Sequence, residues 1–191
     1  MYYASVLPFA IDPDGQVWLL LGQERHAAGR ASSDRWSDFG GMSEPGETLK
    51  QAAARECFEE SMGLFGTRHQ IEARLDDALA FAATGPKGGR QFLMSVPFEQ
   101  SLVEHFARFY HYARCAAALH AVTQADNTGG LFEKQAIAWV RLSDVAELDR
   151  TGRLPLRFWF RETILQQLFD SSTTMLHRLA NDAAARQCRQ K

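Results

Sequence analysis

Three glutamates, Glu56, Glu59 and Glu60, lie within one short stretch of the chain, and no lysine or arginine separates them. On an α-helix, a spacing of i, i+3 and i+4 places side chains on one face, within reach of a common point. A hard divalent cation such as Mg²⁺ would offset their repulsion, because it prefers oxygen ligands and commonly lies between carboxylates and substrate phosphates. Taken alone, the pattern is more typical of an ordinary solvated acidic helix face.

The residues before these glutamates predict a helix that begins after a glycine turn. Pro45 and Gly46 favour the turn. Thr48 is a good N-cap, and Gln51 completes a capping-box pattern with it. Neither glycine nor proline interrupts the chain from there to Met62, so we expect the glutamates to lie on one continuous helix.

A longer pattern surrounds the glutamates. Five residues separate Gly41 from Glu47, seven separate Glu47 from Arg55, and residues 55–60 read Arg-Glu-Cys-Phe-Glu-Glu. This pattern resembles the Nudix box, the signature of the Nudix hydrolases.

The chain departs from that box at two positions. Met62 stands where the box usually closes with glycine, and Gly63 follows it; a helix one residue longer before a glycine C-cap would account for this shift. Cys57 stands at a position that is usually aliphatic, where it can serve as a small buried hydrophobic residue. Neither departure removes a carboxylate.

The resemblance implies an α/β (α+β) fold, an α/β/α sandwich in which a mixed β-sheet lies between helices. We expect a Nudix hydrolase domain over residues 1–170 with a helical insertion at about 100–123, and a C-terminal helical extension over 171–191. Strand-like patterns before and after the predicted helix agree with this fold. The predicted strands are 2–11, 17–22, 36–39, 80–83, 91–97 and 133–142, and a further helix is predicted over 156–169 with Phe158, Phe160, Ile164 and Leu168 buried.

The resemblance also implies a metal site. In the family the glutamates of the box hold Mg²⁺ or Mn²⁺, which makes Glu56, Glu59 and Glu60 the expected ligands here, with the Gly41 carbonyl assisting. Pyrophosphate esters resist attack because oxyanions shield the phosphorus, and a divalent ion neutralises that charge and activates water.

One carboxylate must accept the proton of the attacking water. In Nudix enzymes a glutamate in the loop before a strand that contains tryptophan often serves as an extra metal ligand or general base, which makes Glu133, ahead of Trp139, the candidate. Glu59 is the alternative base, and Glu133 also fits an ordinary exposed loop acid. Eight residues of straight helix span about 12 Å, so an interaction of Glu47 with Arg55 requires Glu47 to fold back from before the first turn. We expect this pair to support the site.

The implied substrate is a nucleoside diphosphate linked to another group, hydrolysed at its pyrophosphate bond. Arg25, Lys87 and Arg90 are the candidate phosphate contacts, although Lys87 and Arg90 fit a solvated turn at least as well. Two other functions stay open: a non-catalytic binding or regulatory module, and an RNA-end or cap hydrolase. The second would use basic residues of the C-terminal third: Arg150, Arg153, Arg157, Arg161, Arg178, Arg186, Arg189 and Lys191.

Composition limits the remaining classes. The 191 residues carry a net charge of −2, which argues neither for nor against nucleic acid. Three widely spaced cysteines suggest neither a disulfide framework nor a zinc site, and no signal peptide or membrane-spanning run is evident, so a cytoplasmic protein is expected. The sequence does not determine the oligomeric state, and a homodimer is left open.

Overall fold

The computed structural model describes residues 1–83, 85, 87–119 and 132–167. Within these ranges the strands form one seven-stranded mixed sheet in which β1 and β6 are parallel and the other pairs antiparallel. The order is β3-β2-β1-β6-β5, with β4 paired to β1 and β7 to β2. The strands are β1 Tyr3–Ile11, β2 Val17–Glu24, β3 Trp36–Ser37, β4 Phe39–Met42, β5 Ala80–Ala82, β6 Gly89–Ser95 and β7 Lys134–Arg141.

Helices cover both faces of this sheet, which confirms the predicted α/β/α arrangement. The described helices are α1 Leu49–Glu60, α2 Arg68–Arg74, α3 Ser101–Leu119, α4 Val145–Arg150 and α5 Phe158–Gln167. Side chains of α1, α2 and α3, such as Cys57, Ile71 and Phe106, pack into one hydrophobic core. Side chains of α4 and α5, such as Val145 and Ile164, pack into a second core on the opposite face.

The segment predicted as one strand over 36–39 is two short strands. Ser37 in β3 pairs with Gly22 of β2, whereas Phe39 in β4 pairs with Val6 of β1. Asp38 lies between them, where the chain passes from one neighbour to the other. The single-strand prediction was therefore wrong, because two tertiary partners divide a segment that is continuous in sequence.

The helix that carries the glutamates begins as predicted. Thr48 is the N-cap of α1, and its reciprocal hydrogen bonds with Gln51 form the capping box. The helix ends at Glu60, so the expected extra residue is absent. Instead Met62 adopts a left-handed φ of +57°, its amide donates to the Glu59 carbonyl, and the Gly63 amide donates to Phe58. This is a Schellman closure with methionine in the place that glycine usually takes.

Other predictions about the helices are partly wrong. Residues 67–79, which the sequence left ambiguous, contain α2, and α4 was not predicted. Phe160 and Ile164 are buried as expected, but Phe158 is 57% exposed. The predicted extension over 171–191, the boundary at 170, Leu168, and the basic residues Arg178, Arg186, Arg189 and Lys191 lie outside the described residues.

Among the helices of the described ranges, none combines the length and apolar character needed to span a bilayer.

Candidate active site

Arg55 ties the glycine loop to α1. Its Nε lies 2.9 Å from Glu47 Oε1 and its Nη2 3.1 Å from Glu47 Oε2. Nη2 also donates to the Met42 carbonyl at 3.0 Å, and Nη1 lies 2.8 Å from Glu56 Oε1 and 3.4 Å from Glu59 Oε2. Glu47 precedes the first turn of α1, so the pair forms by the fold-back that the helix length requires. Arg55 thus supplies the cationic neighbour that the glutamate spacing alone did not reveal.

Gly41 and Glu56 are in unusually close approach. A β-carbon built on Gly41 would lie 2.4 Å from Glu56 Oε1 and 2.6 Å from its carboxylate carbon. Burial, and then the charges of Glu59 and Glu133, raise the pKa of Glu56 against the opposing effect of Arg55. A side chain at position 41 would therefore displace the Glu56 carboxylate.

Glu59 is held from two sides. Arg68 at the start of α2 donates to its Oε1, and Arg55 lies near its other oxygen. Burial raises the pKa of Glu59, although both arginines oppose that shift. Because the Arg68 side chain is 53% exposed, the contact with Arg68 is the more easily exchanged of the two.

Glu60 belongs to a buried charge network behind α1. Its Oε2 accepts from the Gly40 amide at 2.7 Å, and its Oε1 lies 3.6 Å from Lys134 Nζ. Lys134 Nζ is closer to Glu24 Oε1, at 2.6 Å, and donates to Ser37 Oγ at 2.8 Å. The Lys134 side chain has no exposed surface.

The pKa shifts in this network show which carboxylate Lys134 neutralises. Burial alone would raise the pKa of Glu24, but the charge and hydrogen bond of Lys134 lower it. Burial raises the pKa of Glu60 well above its usual range, and the charges of Glu24, Glu56 and Glu133 add to this effect against Lys134. Glu60 is therefore the carboxyl whose ionised form is least compensated in this network, and an additional cation near it would favour that form.

Glu133 immediately precedes β7. Its carbonyl accepts a hydrogen bond from the Arg25 amide at 2.7 Å, and its side chain is half-buried. Its charge is among the causes that raise the pKa of Glu56 and Glu60. The fold therefore brings the negative charge of Glu133 near the α1 glutamates, across more than seventy residues of sequence.

Within the described part of the chain, no three His, Cys, Asp or Glu side chains converge as a ready-made metal site. The physical reason is visible at each glutamate: Glu56 turns to Arg55, Glu59 to Arg68, and Glu60 to Gly40 and Lys134. The donor set is nevertheless made of carboxylate oxygens, the ligands that Mg²⁺ and Mn²⁺ prefer. Carboxylate side chains are therefore suitable ligands for a hard divalent cation. Binding of the cation would replace existing contacts, such as that between Glu59 and Arg68, with contacts to the metal.

A cavity of about 180 Å³ lies beside this cluster, between the sheet and α5. Tyr3 and Gln91 form its polar wall with Asp38: the Tyr3 hydroxyl donates to Asp38 Oδ1 at 3.0 Å, and Gln91 Nε2 donates to Oδ2 at 2.6 Å. Burial, followed by the charge of Asp38, raises the pKa of Tyr3 well above its usual range, so the phenol stays a donor. Gln91 Oε1 is buried and has no hydrogen-bond partner among the residues that the structure describes, a state that costs about 1–3 kcal/mol.

The predicted phosphate contacts divide between two places. Lys87 lines the cavity together with Met42, which follows Gly41. Arg25 and Arg90 are exposed and do not line it. Of the four basic C-terminal residues that the structure describes, Arg157 pairs with Glu24, Arg161 with Asp149 and Arg150 with Glu147, whereas Arg153 is exposed.

Sequence reasoning missed several residues of this region, namely Asp38, Arg68, Gln91, Lys134 and Arg157. None belongs to the glycine–glutamate pattern, and each contacts a partner that is distant in sequence. Only Asp38 carried a local signal, because it stands two residues before Gly40 in a stretch of alternating residue types.

Comparisons with known proteins agree with the motif. The NUDIX domain family model matches residues 1–160. A Danio rerio protein named oxidized purine nucleoside triphosphate hydrolase is 42% identical over 53 residues, covering 28% of this chain and 32% of that protein. The chain therefore matches about a third of that relative's length.

Solved structures of low identity were also found. A Nudix hydrolase from M. smegmatis is 16% identical with a TM-score of 0.44, covering 87% of this chain and 83% of that one. A mutT/nudix family protein from Listeria innocua is 18% identical with a TM-score of 0.43, covering 100% and 97%. Because the family model spans residues 1–160 of the 191, the chain belongs to the Nudix hydrolase family, as its glycine loop and glutamates predicted.

Proposed function

We propose that this protein is a divalent-metal-dependent pyrophosphohydrolase acting on a nucleoside diphosphate linked to another group. The observation that carries the proposal is the position of the three glutamates against β4 in a chain of this family. Arg55 contacts Glu56 and Glu59, Glu56 adjoins Gly41, and Glu60 accepts from the neighbouring Gly40 amide. The cluster is buried, and its carboxyl pKa values are raised, which is the condition that a hard cation relieves.

The proposed metal ligands are Glu56, Glu59 and Glu60, with the Gly41 carbonyl. A bound Mg²⁺ or Mn²⁺ would supply neutralisation of the phosphate charge and a more acidic water. Arg55 orients Glu56 and Glu59 through its Nη1 atom, and its contacts to Glu47 hold the loop against α1. Such supporting contacts commonly preserve the orientation of ligands.

The proton of the attacking water goes to Glu133 in this proposal, with Glu59 as the alternative base. Glu133 lies at the end of a loop where its charge acts on Glu56 and Glu60. Lys87, on the wall of the neighbouring cavity, would hold substrate phosphate as a compact positive charge.

The end of α1 bears on the non-catalytic alternative. That alternative gained support from the Met62–Gly63 shift, since a displaced helix end would move Glu59 and Glu60. Met62 itself adopts the left-handed φ at which the helix ends, and α1 ends at Glu60, so the helix is not extended by one residue. For RNA ends, three of the four described arginines of the basic set, Arg150, Arg157 and Arg161, are already paired with acids, which weakens the argument from basic charge.

The test is hydrolysis of ADP-ribose, NADH, dinucleoside polyphosphates and nucleoside triphosphates, with Mg²⁺ or Mn²⁺. Triphosphates are included because the Danio rerio relative is named for them. Glu60→Gln should abolish hydrolysis while the protein stays folded, whereas Glu104→Gln, on the exposed surface of α3, should leave it unchanged. Full turnover of Glu60→Gln across the panel would refute the metal assignment, and no turnover by the wild type would refute the hydrolase proposal.

A further inference from the structure

We propose that the cavity walled by Asp38 and Gln91 binds the base of the nucleotide and selects a guanine-type edge, with two adjacent N–H donors. The inference deepens the proposed function and rests on it. It assigns base recognition to residues outside the glycine–glutamate motif, on β6 and at the junction of β3 and β4.

The cavity is large enough to hold a ligand bigger than a few water molecules. Its volume of about 180 Å³ corresponds to about six water molecules, at about 30 Å³ each. Apolar and aromatic side chains, Met42, Trp159 and Phe160, line it beside the polar wall. Few polar groups on an otherwise apolar lining is the usual composition of a small-molecule site.

The hydrogen bonds of the polar wall fix the orientation of the Gln91 side-chain amide. Asp38 is 1% exposed and accepts from both Tyr3 and Gln91, so the Gln91 amide must point its nitrogen at Asp38. The remaining amide atom is the carbonyl oxygen Oε1, which is buried in a side chain that is 1% exposed and finds no partner in the described part of the chain. A ligand N–H is the group that would satisfy it.

On this side of the cavity Asp38 and Gln91 offer acceptors, whereas Lys87 and Arg157 elsewhere on the lining are donors. The acceptors are the basis on which we infer the class of base. Gln91 Oε1 is one acceptor, and each Asp38 oxygen retains capacity beyond the hydrogen bond it already accepts. Guanine offers an N–H and an adjacent amino group on one edge. Adenine and cytosine offer one amino group beside an acceptor nitrogen, and uracil places its single N–H between two carbonyls that would face the acceptors.

The remaining lining suits the other parts of a purine nucleotide. Trp159 is 47% exposed and lines the cavity, where its indole provides a surface for stacking a base. Arg157 lines the same cavity; its Nη1 pairs with Glu24 at 3.4 Å, and the guanidinium carries further N–H groups that suit the acceptor edge of guanine. Met42 joins the cavity to the catalytic cluster, since its carbonyl accepts from Arg55 at 3.0 Å. A base in the cavity therefore places its phosphates toward Gly41 and Lys87.

The experiment measures binding without turnover. Titration calorimetry of the full chain in chelator would compare GMP, IMP, AMP and CMP, which share one phosphate and differ in the base. We expect GMP to bind most tightly, IMP to bind about tenfold more weakly because it lacks the amino group, and AMP and CMP to bind at least as weakly as IMP. Equal affinity for the four nucleotides, or no binding at millimolar concentration, would overturn the inference.

Two variants locate the selectivity. Gln91→Leu should reduce the preference for GMP over AMP to within about twofold, whereas Gln16→Leu, at an exposed glutamine, should preserve it. Trp159→Ala should weaken GMP binding about tenfold, consistent with a lost stacking surface. Thermal unfolding checks that each variant is folded; if Gln91→Leu is not, the wild-type panel and Trp159→Ala decide. Selectivity retained in folded Gln91→Leu, or unchanged GMP affinity in Trp159→Ala, contradicts the assignment.

The outcome is independent of hydrolysis. Glu60→Gln should lose turnover yet bind GMP in chelator as the wild type does. Loss of activity with intact GMP selectivity would therefore be a failure of the catalytic proposal alone, and active protein without base selectivity would be a failure of this inference alone.

Discussion

Gly41 and Glu56 stand so close that a β-carbon at position 41 would lie 2.4 Å from the glutamate Oε1 atom. The adjacent Gly40 meets a different obstacle, because its β-carbon would lie 2.2 Å from Ser5 Cβ and 2.6 Å from the Ala4 carbonyl oxygen. One glycine thus adjoins a mobile carboxylate, and the other adjoins the backbone of β1.

Gly41→Ala should therefore impair activity more than stability. The Glu56 carboxylate can swing away from the new methyl group, so we expect hydrolysis to fall by about 10–100-fold with a small change in the unfolding free energy. Gly40→Ala should instead destabilise the fold, because the backbone of Ala4 cannot move aside. Urea denaturation and steady-state kinetics of both variants check this, and the opposite ranking would contradict it.

Arg55→Lys should lower hydrolysis by about 10–100-fold. Arg55 reaches Glu47, Glu56 and the Met42 carbonyl with three different nitrogens, and a single ammonium group cannot span them. Arg150→Lys, in an exposed pair on α4, serves as the matched control and should have no effect. Wild-type activity in Arg55→Lys would show that the bridging contacts do not support the site.

Lys134→Met should cost about 3–5 kcal/mol of unfolding free energy, because it leaves Glu60 buried without this cation and Glu24 with only the longer contact to Arg157 at 3.4 Å. Lys50→Met removes a lysine from an exposed pair with Asp76 and should cost about 0–1 kcal/mol. Urea denaturation compares the two, and adding Glu24→Leu to Lys134→Met should recover part of the loss. Equal costs for the two lysine variants would contradict the importance of the buried network.

Glu133→Gln should lower kcat by about 10²–10⁴-fold if Glu133 is the general base. Because Glu133 is not among the proposed ligands, metal affinity should change little, which titration with Mn²⁺ measures. Unchanged turnover of Glu133→Gln at every pH, with loss of turnover in Glu59→Gln, would transfer the base to Glu59.

The local sequence was sufficient to predict helix α1, its N-cap and the three glutamates on it. The capping box of Thr48 and Gln51 involves residues of a single turn, and the i, i+3 and i+4 spacing of the glutamates involves residues of a single helix. Both depend only on residues that are close in sequence. The fold-back of Glu47 onto Arg55 followed from the length of the helix alone. The end of the helix could not be predicted from the sequence, because Met62 has a left-handed φ, which is uncommon for a residue other than glycine.

Tertiary structure decided which residues surround the motif. Asp38 and Gln91 are 53 positions apart, and Lys134 and Glu24 are 110 apart, yet each pair is in direct contact. Such contacts depend on strand register and on which strands become neighbours, and no period or spacing within a single segment encodes them. The family of the chain can therefore be predicted from residues within one helix and the loop before it. The proposed base cavity and the burial of Lys134, by contrast, depend on the pairing of β1, β2, β6 and β7.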